Sequence, residues 1–257
     1  MSRHVEAWIN GQSIFSASPL VILREPRIEP AEVELTTGER PGTPGALLVN
    51  IKRTRLTVAL GFVLRDIFDL SARSRALEQV NAWARDGVLT LSSMPFRQLQ
   101  MVVTKRASMG AIRDYNTVYT IECAAVACPF WQDTAIKFGS ASGTAGTINL
   151  YPAGSVDRMP LEFTVTPVSA ALTSFSIGVN GRQIAFSGFS LPAGQELKVF
   201  YDAQMLQWIT LNGVSSQGAR TRASADHLYL YPNQINAITF SANTAVTVQA
   251  GARGLYL

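Results

Sequence analysis

The sequence predicts a mainly β protein with one helix, and three observations carry that prediction. Asn-Gly pairs at 10–11, 180–181 and 212–213 each sit between short apolar runs, the pattern of tight hairpins whose central residues take positive φ. Two long stretches, 56–64 and 115–123, alternate apolar with small or polar residues, as strands do. Helical spacing appears convincingly once, over residues 72–86. The 257 residues are 47% hydrophobic and 16% charged, enough apolar material for two ordinary domains or one large β domain.

In order along the chain, strands at 4–9 and 12–15 flank Asn10-Gly11. Residues 24–45 are rich in Pro, Glu and Gly and read as an exposed loop or a protruding hairpin with a Gly-Pro tip. Leu56, Val58, Leu60, Phe62 and Leu64 then mark a long strand buried on one face. Ser71 offers an N-cap for a helix whose core face is Ala76, Leu77, Val80, Trp83 and Ala84, with Gly87 after its end. Short strands at 88–91 and 98–103 are joined through Met94-Pro95. Tyr115, Thr117, Tyr119, Ile121 and Cys123 share one face of the next strand, which Pro129 ends.

Charge thins after about residue 136, and Ser, Thr, Ala and Gly take over. The run GSASGTAG at 139–146 reads as a flexible linker. Its lack of a Lys-Ser/Thr pair and of a following helix argues against a phosphate cradle. Beyond it, nine short strands are predicted at 147–150, 161–166, 174–179, 182–187, 196–201, 206–211, 227–231, 235–240 and 246–249, the spacing of a β-sandwich.

Net charge is +4, spread along the chain, with Lys52-Arg53-Thr54-Arg55 as the one local basic cluster. That pattern disfavours nucleic-acid binding. No apolar run is long enough to span a bilayer, and the N-terminus lacks a signal-peptide pattern. The expectation is a soluble protein kept in the cytoplasm or released by a non-secretory route. Cys123 and Cys128 on one strand would lie ~16 Å apart, beyond disulfide reach, and read as core residues.

Candidate chemistry is sparse. Of the two histidines, His4 is terminal and His227 sits in a probable strand as a structural residue. Glu162 and Glu196 show no acid–base spacing, and Val214–Ser216 lacks a nucleophile elbow. No catalytic residue, metal site or cofactor site is predicted, and the chain is not expected to be an enzyme. A hydrolase would need site residues dispersed along the sequence.

Four features together resemble the distal tail protein family of phages with long non-contractile tails. They are the early Asn-Gly hairpin, the loop RPGTPGALLV, the strand and helix ending in Val80-Asn81-Ala82-Trp83 before a Pro95-centred turn, and the strand closing on Cys128-Pro129-Phe130-Trp131. Leu228 to Asn236 is similar to the family's turn before a late strand, although Asn233-Gln234 replaces a Gly-containing pair. Asn tolerates positive φ, so the turn should survive.

The resemblance implies a β-sandwich-like belt domain with a helix at 1–135, a linker at 136–146 and a galectin-like β-sandwich at 147–257. It implies a homo-hexameric ring joining the tail tube protein to tail-tip or receptor-binding proteins. DNA would be only passing cargo, no membrane would be a partner, and the protein would sit in the virion tail tip after assembly in the host cytoplasm. Arg40, Pro41, Gly42, Pro44 and Gly45 would form the tip of an inter-subunit hairpin, a role that strand addition to a neighbour would explain physically. The alternative is a soluble glycan-binding β-sandwich module. Against it, the His-x-Asn-x-Arg strand of sugar-binding galectins is missing at His227-Leu228-Tyr229, and no acidic residue follows Trp208 directly. Trp208 and Trp131 are expected in the core.

Overall fold

The structure, a computed structural model, describes residues 5–39, 46–65, 69–108, 117–125, 128–202 and 205–257. The chain divides into two compact units, Met1–Trp131 together with Leu257, and Gln132–Tyr256.

The first unit runs β1 (Ala7–Ile9), β2 (Gln12–Ser13), α1 (Ile14–Ala17), β3 (Val21–Leu23), β4 (Arg27–Glu29), β5 (Val33–Glu39) and β6 (Ala46–Arg53). It continues with β7 (Leu56–Leu64), α2 (Leu70–Trp83), β8 (Gly87–Leu91), β9 (Met94–Lys105) and β10 (Tyr119–Ala125). Strand order in its main sheet is β2–β1–β8–β9–β10–β7–β3, with β4 beside the other end of β7. The alternation read from the sequence sets the core: Leu56, Val58, Leu60, Phe62 and Leu64 of β7 are all buried. Tyr119, Ile121 and Cys123 of β10 join them, with the Phe62 and Tyr119 rings 5.6 Å apart.

Helix α2 buries the predicted stripe, Ala76, Leu77, Val80 and Trp83. The Trp83 indole N–H donates to the Gln12 carbonyl at 2.8 Å, tying the helix to the first hairpin. The cap is Asp69 rather than Ser71: its carboxylate accepts from the Ser71 amide and hydroxyl, both at 2.8 Å. Those bonds hold the Asp69 carboxyl below its ordinary range. Two further local expectations are corrected. Residues 14–17 form a short helix, not the end of a strand, because Ser13 accepts from the Phe15 amide and caps it. The β8–β9 connection is the two-residue turn at Ser92-Ser93, with Leu91 opposite Met94, so Met94 and Pro95 already belong to β9.

The second unit begins with β11 (Trp131–Asp133), whose first residue belongs to the first unit, and β12 (Lys137–Leu150). Then come β13 (Met159–Pro160), β14 (Glu162–Pro167), β15 (Leu172–Val179), β16 (Arg182–Leu191), β17 (Leu197–Tyr201), β18 (Gln207–Leu211) and β19 (Val214–Ser215). β20 (Tyr229–Leu230), β21 (Asn236–Ala252) and β22 (Leu255–Tyr256) complete it. Strands are ordered β16–β15–β21–β14–β17–β18–β19, with β12 also on β21. Phe163 of β14 packs within 6.1 Å of both Phe175 of β15 and Phe186 of β16, ring centre to ring centre, so the sheet curls until its halves face each other. Phe240 extends this aromatic core.

Here the predicted 136–146 linker is corrected. Residues 137–150 are a single strand, paired with β21 from Lys137↔Ala252 to Leu150↔Asn236, with an irregularity between Gly143 and Ala145. Small residues stand there because space is short: a Cβ on Gly146 would lie 2.8 Å from the Phe240 ring, and one on Gly139 2.6 Å from the Ile148 side chain. The predicted strands 235–240 and 246–249 are likewise one strand, β21, running through both halves of the curled sheet. At the bend Asn243 accepts from the Thr173 and Ser174 amides at 2.9 and 3.0 Å.

Candidate assembly and docking surfaces

Strands β5 and β6 pair with each other from Val33↔Arg53 to Glu39↔Ala46 and, among the described residues, with no other strand. The hairpin is closed at its root where Glu32 and Thr54 exchange hydrogen bonds. The Glu32 amide donates to the Thr54 hydroxyl at 2.7 Å, and the Thr54 amide to the Glu32 carbonyl at 2.8 Å. The root is anchored on both sides, by β4 before it and β7 after it, which pair from Arg27↔Ala59 to Glu29↔Thr57. Beyond the root the β5 strand carries apolar side chains into solvent: Val33 is 48% exposed and Leu35 60%. A two-stranded hairpin without a packed face is marginal by itself, so such residues mark a surface that a partner would cover. The predicted tip, Arg40, Pro41, Gly42, Pro44 and Gly45, lies outside the described residues.

The second unit offers a different surface, at the end where β12 stops and β21 starts. Asn236 is fully buried there; its side chain accepts from the Tyr231 amide at 2.8 Å and donates to the carbonyls of Tyr231 and Gln234. The Asn180 side chain adds a bond to it at 3.0 Å. Asn233 takes φ +58°, as its sequence position requires, and its amide groups reach the Pro152 and Gly154 carbonyls. This network fixes a turn that exposes Tyr231 and Ile235, with Tyr151 exposed beside them at the end of β12. Rigid, exposed aromatic and aliphatic side chains of this kind suit a protein contact.

The groups weighed for catalysis are structural. His227 shares a 3.1 Å hydrogen bond with the Tyr201 hydroxyl, which also accepts from the Gln207 side chain. Burial pushes the Tyr201 phenol up. Arg158 stacks over Tyr229 at 4.7 Å. Cys123 and Cys128 are both buried and not disulfide-bonded, and burial pushes Cys123 up to about 12, far from a reactive thiolate. Among the described residues no group of three His, Cys, Asp or Glu could hold a metal, and no helix is long and apolar enough to cross a membrane.

Trp131 is buried as expected, but Trp208 is corrected: it is 39% exposed on the outer face of β18. Its indole N–H donates to the Asp202 carboxylate at 2.8 Å, and Asp202 is itself fixed by the Leu206 amide at 2.9 Å. The acidic partner therefore precedes Trp208 across a turn, where a search of the following residues misses it. An Asp six positions before a Trp, with a chain reversal between, was the signal available. Phe200 lies directly opposite Trp208 on β17.

No protein-family model matches the chain, and no curated protein sequence does. Among solved structures, the chain is similar to the Dit protein of phage SPP1, described as a paradigm of the hub adsorption apparatus in phages infecting Gram-positive hosts. The TM-score is 0.70 at 14% identity, over 97% of this chain and 98% of that one. A chain of the phage P2 baseplate in its activated conformation with calcium gives a TM-score of 0.43 at 7% identity, over 96% and 97%. At these identities the likeness establishes a fold: along nearly its whole length this chain folds as the SPP1 Dit protein does.

Proposed function

We propose that this chain is a structural protein of a phage tail, a distal tail protein that works by geometry and performs no catalysis. Copies of it would close into a hexameric ring between the tail tube and the tail tip, leaving a passage for DNA. The first unit would build the belt of the ring, and the second, in the role of the family's galectin-like domain, would face outward.

The observation that carries this reading is the β5–β6 hairpin, on a chain whose whole length shares the SPP1 Dit fold. The hairpin pairs only with itself among the described residues and exposes Val33 and Leu35, so a neighbouring copy would give it the cover it lacks. A contact of this head-to-tail kind closes into a ring when the rotation between copies allows. The rigid turn bearing Tyr231 and Ile235 is a candidate landing point for other tail proteins.

Particle mass in solution tests the ring directly. Native mass spectrometry of the intact chain should give a closed oligomer of six copies, and images should show a ring. Replacing residues 33–53 by two glycines between Glu32 and Thr54 should yield a folded monomer, since those two residues already lie within hydrogen-bond distance. A wild-type protein that stays monomeric at every concentration would refute the ring.

A further inference from the structure

We propose that the outer face of β14, β17 and β18 is a binding platform for a neutral saccharide. The register defines a row across this face. Trp208 of β18 opposes Phe200 of β17. Phe163 and Val165 of β14 pair with Val199 and Leu197 and point inward, so Glu162 shares the outward row beside Phe200. The neighbouring row is polar: Thr210 opposes Lys198, and Lys198 opposes Thr164.

Each member has a distinct chemical role. A pyranose ring presents a face of weakly electropositive C–H groups that packs on the negative face of an aromatic ring. Trp208 is the ring free to receive it, because the Lys198 ammonium already lies 5.2 Å over the Phe200 ring. The Asp202 hydrogen bond holds the indole in place, so stacking on it sacrifices little side-chain freedom. Thr210 stands two residues along β18, and Lys198 lies diagonally across on β17, both within reach of hydroxyls at the ring edge. Glu162 stands two strand spacings away, ~10 Å, the position of a second linked sugar.

Charge selects the ligand class. Glu162 is half-buried on β14, and Lys198 of the adjacent strand β17 is exposed on the same face. The acid is balanced, so the face favours neither a strong anion nor a strong cation. It offers instead one aromatic plane ringed by hydroxyl, ammonium and carboxylate groups, which suits a neutral polyhydroxylated molecule. An apolar peptide would find only Trp208 and the neighbouring exposed Leu206 among Thr, Lys and Glu. This inference stands apart from the ring reading, because Trp208 and the β5–β6 hairpin belong to different units.

The test uses the intact chain with lactose, N-acetyllactosamine, chitobiose, maltose and cellobiose, read by saturation-transfer NMR and titration calorimetry. At least one disaccharide should bind. Trp208→Ala should weaken it roughly tenfold or more, and Trp208→Phe should restore part of the loss. Glu162→Gln should weaken it by a smaller factor while keeping side-chain shape. Circular dichroism and particle mass should be unchanged in all three variants, which separates a lost sugar site from a lost fold or a lost ring. The proposal is overturned if none of the five disaccharides binds the wild type, or if Trp208→Ala binds as the wild type does.

Discussion

Residues 33–53 and residues 137–150 both overlap stretches rich in small or turn-forming residues, and their surroundings differ. The first reads in part as an exposed loop or protruding hairpin (24–45) and the second in part as a flexible linker (139–146). The second is locked against β21 along its length, with glycines where the Phe240 ring and the Ile148 side chain leave no room for a Cβ. The first forms a hairpin that, among the described residues, pairs with no other strand and exposes Val33 and Leu35. Such composition reports that a segment departs from a core pattern; it does not report why. In one case crowding requires small residues, and in the other the described residues leave Val33 and Leu35 exposed.

The contrast can be broken at the crowded end first. A Cβ on Gly251 would lie 2.5 Å from the Lys137 carbonyl oxygen and 2.6 Å from the Phe138 ring. Gly251→Val should therefore cost about 3 kcal/mol, read as a shifted midpoint in urea unfolding. Asn236→Ala should cost about 2 kcal/mol, because it removes a fully buried side chain that bonds the backbone of Tyr231 and Gln234 at the end of the β12–β21 ladder. Hydrogen exchange should then speed up at Tyr231 before it changes elsewhere.

On the hairpin side, Leu35→Ser should alter unfolding stability by less than about 0.5 kcal/mol, yet reduce the oligomer seen by mass photometry. If it instead destabilises the isolated chain as a core change would, the exposed-hairpin description fails.

The smallest effect is expected at Glu162. Burial raises its folded pKa above the ordinary carboxylate value. The folded state then holds the proton more tightly than the unfolded chain, so stability falls as pH rises from the ordinary value through the raised one. Glu162→Gln removes that loss. Thermal melts should show it slightly more stable than wild type at neutral pH, and the advantage should vanish below the ordinary carboxylate range.

Much of the fold was legible because local rules agreed with the final packing. All three Asn-Gly pairs take positive φ, from +47° at Asn212 to +80° at Gly213. The alternation in β7 and the stripe of α2 placed core residues correctly. What escaped depended on distant partners. Ser-Ala-Asn-Thr-Ala at 241–245 reads as a break, but Asn243 bridges to β15 and the strand bends without ending. Trp208 reads as core because tryptophans usually are; its exposure follows from a sheet face that the described residues of the second unit leave partly open.

The β12–β21 ladder also makes the second unit a cartridge. Its incoming strand begins at Lys137, directly opposite Ala252 near the end of its outgoing strand, and the Asp133 amide bonds the Gly254 carbonyl close by. Both ends of the unit thus leave from one place, the geometry that lets a domain be cut out or inserted with little disturbance to its host. Recombination at its two neighbouring ends could exchange such a unit wholesale without redesigning the rest of the chain. Residues 132–256 expressed alone should fold and melt cooperatively, with the disaccharide response of the full chain intact.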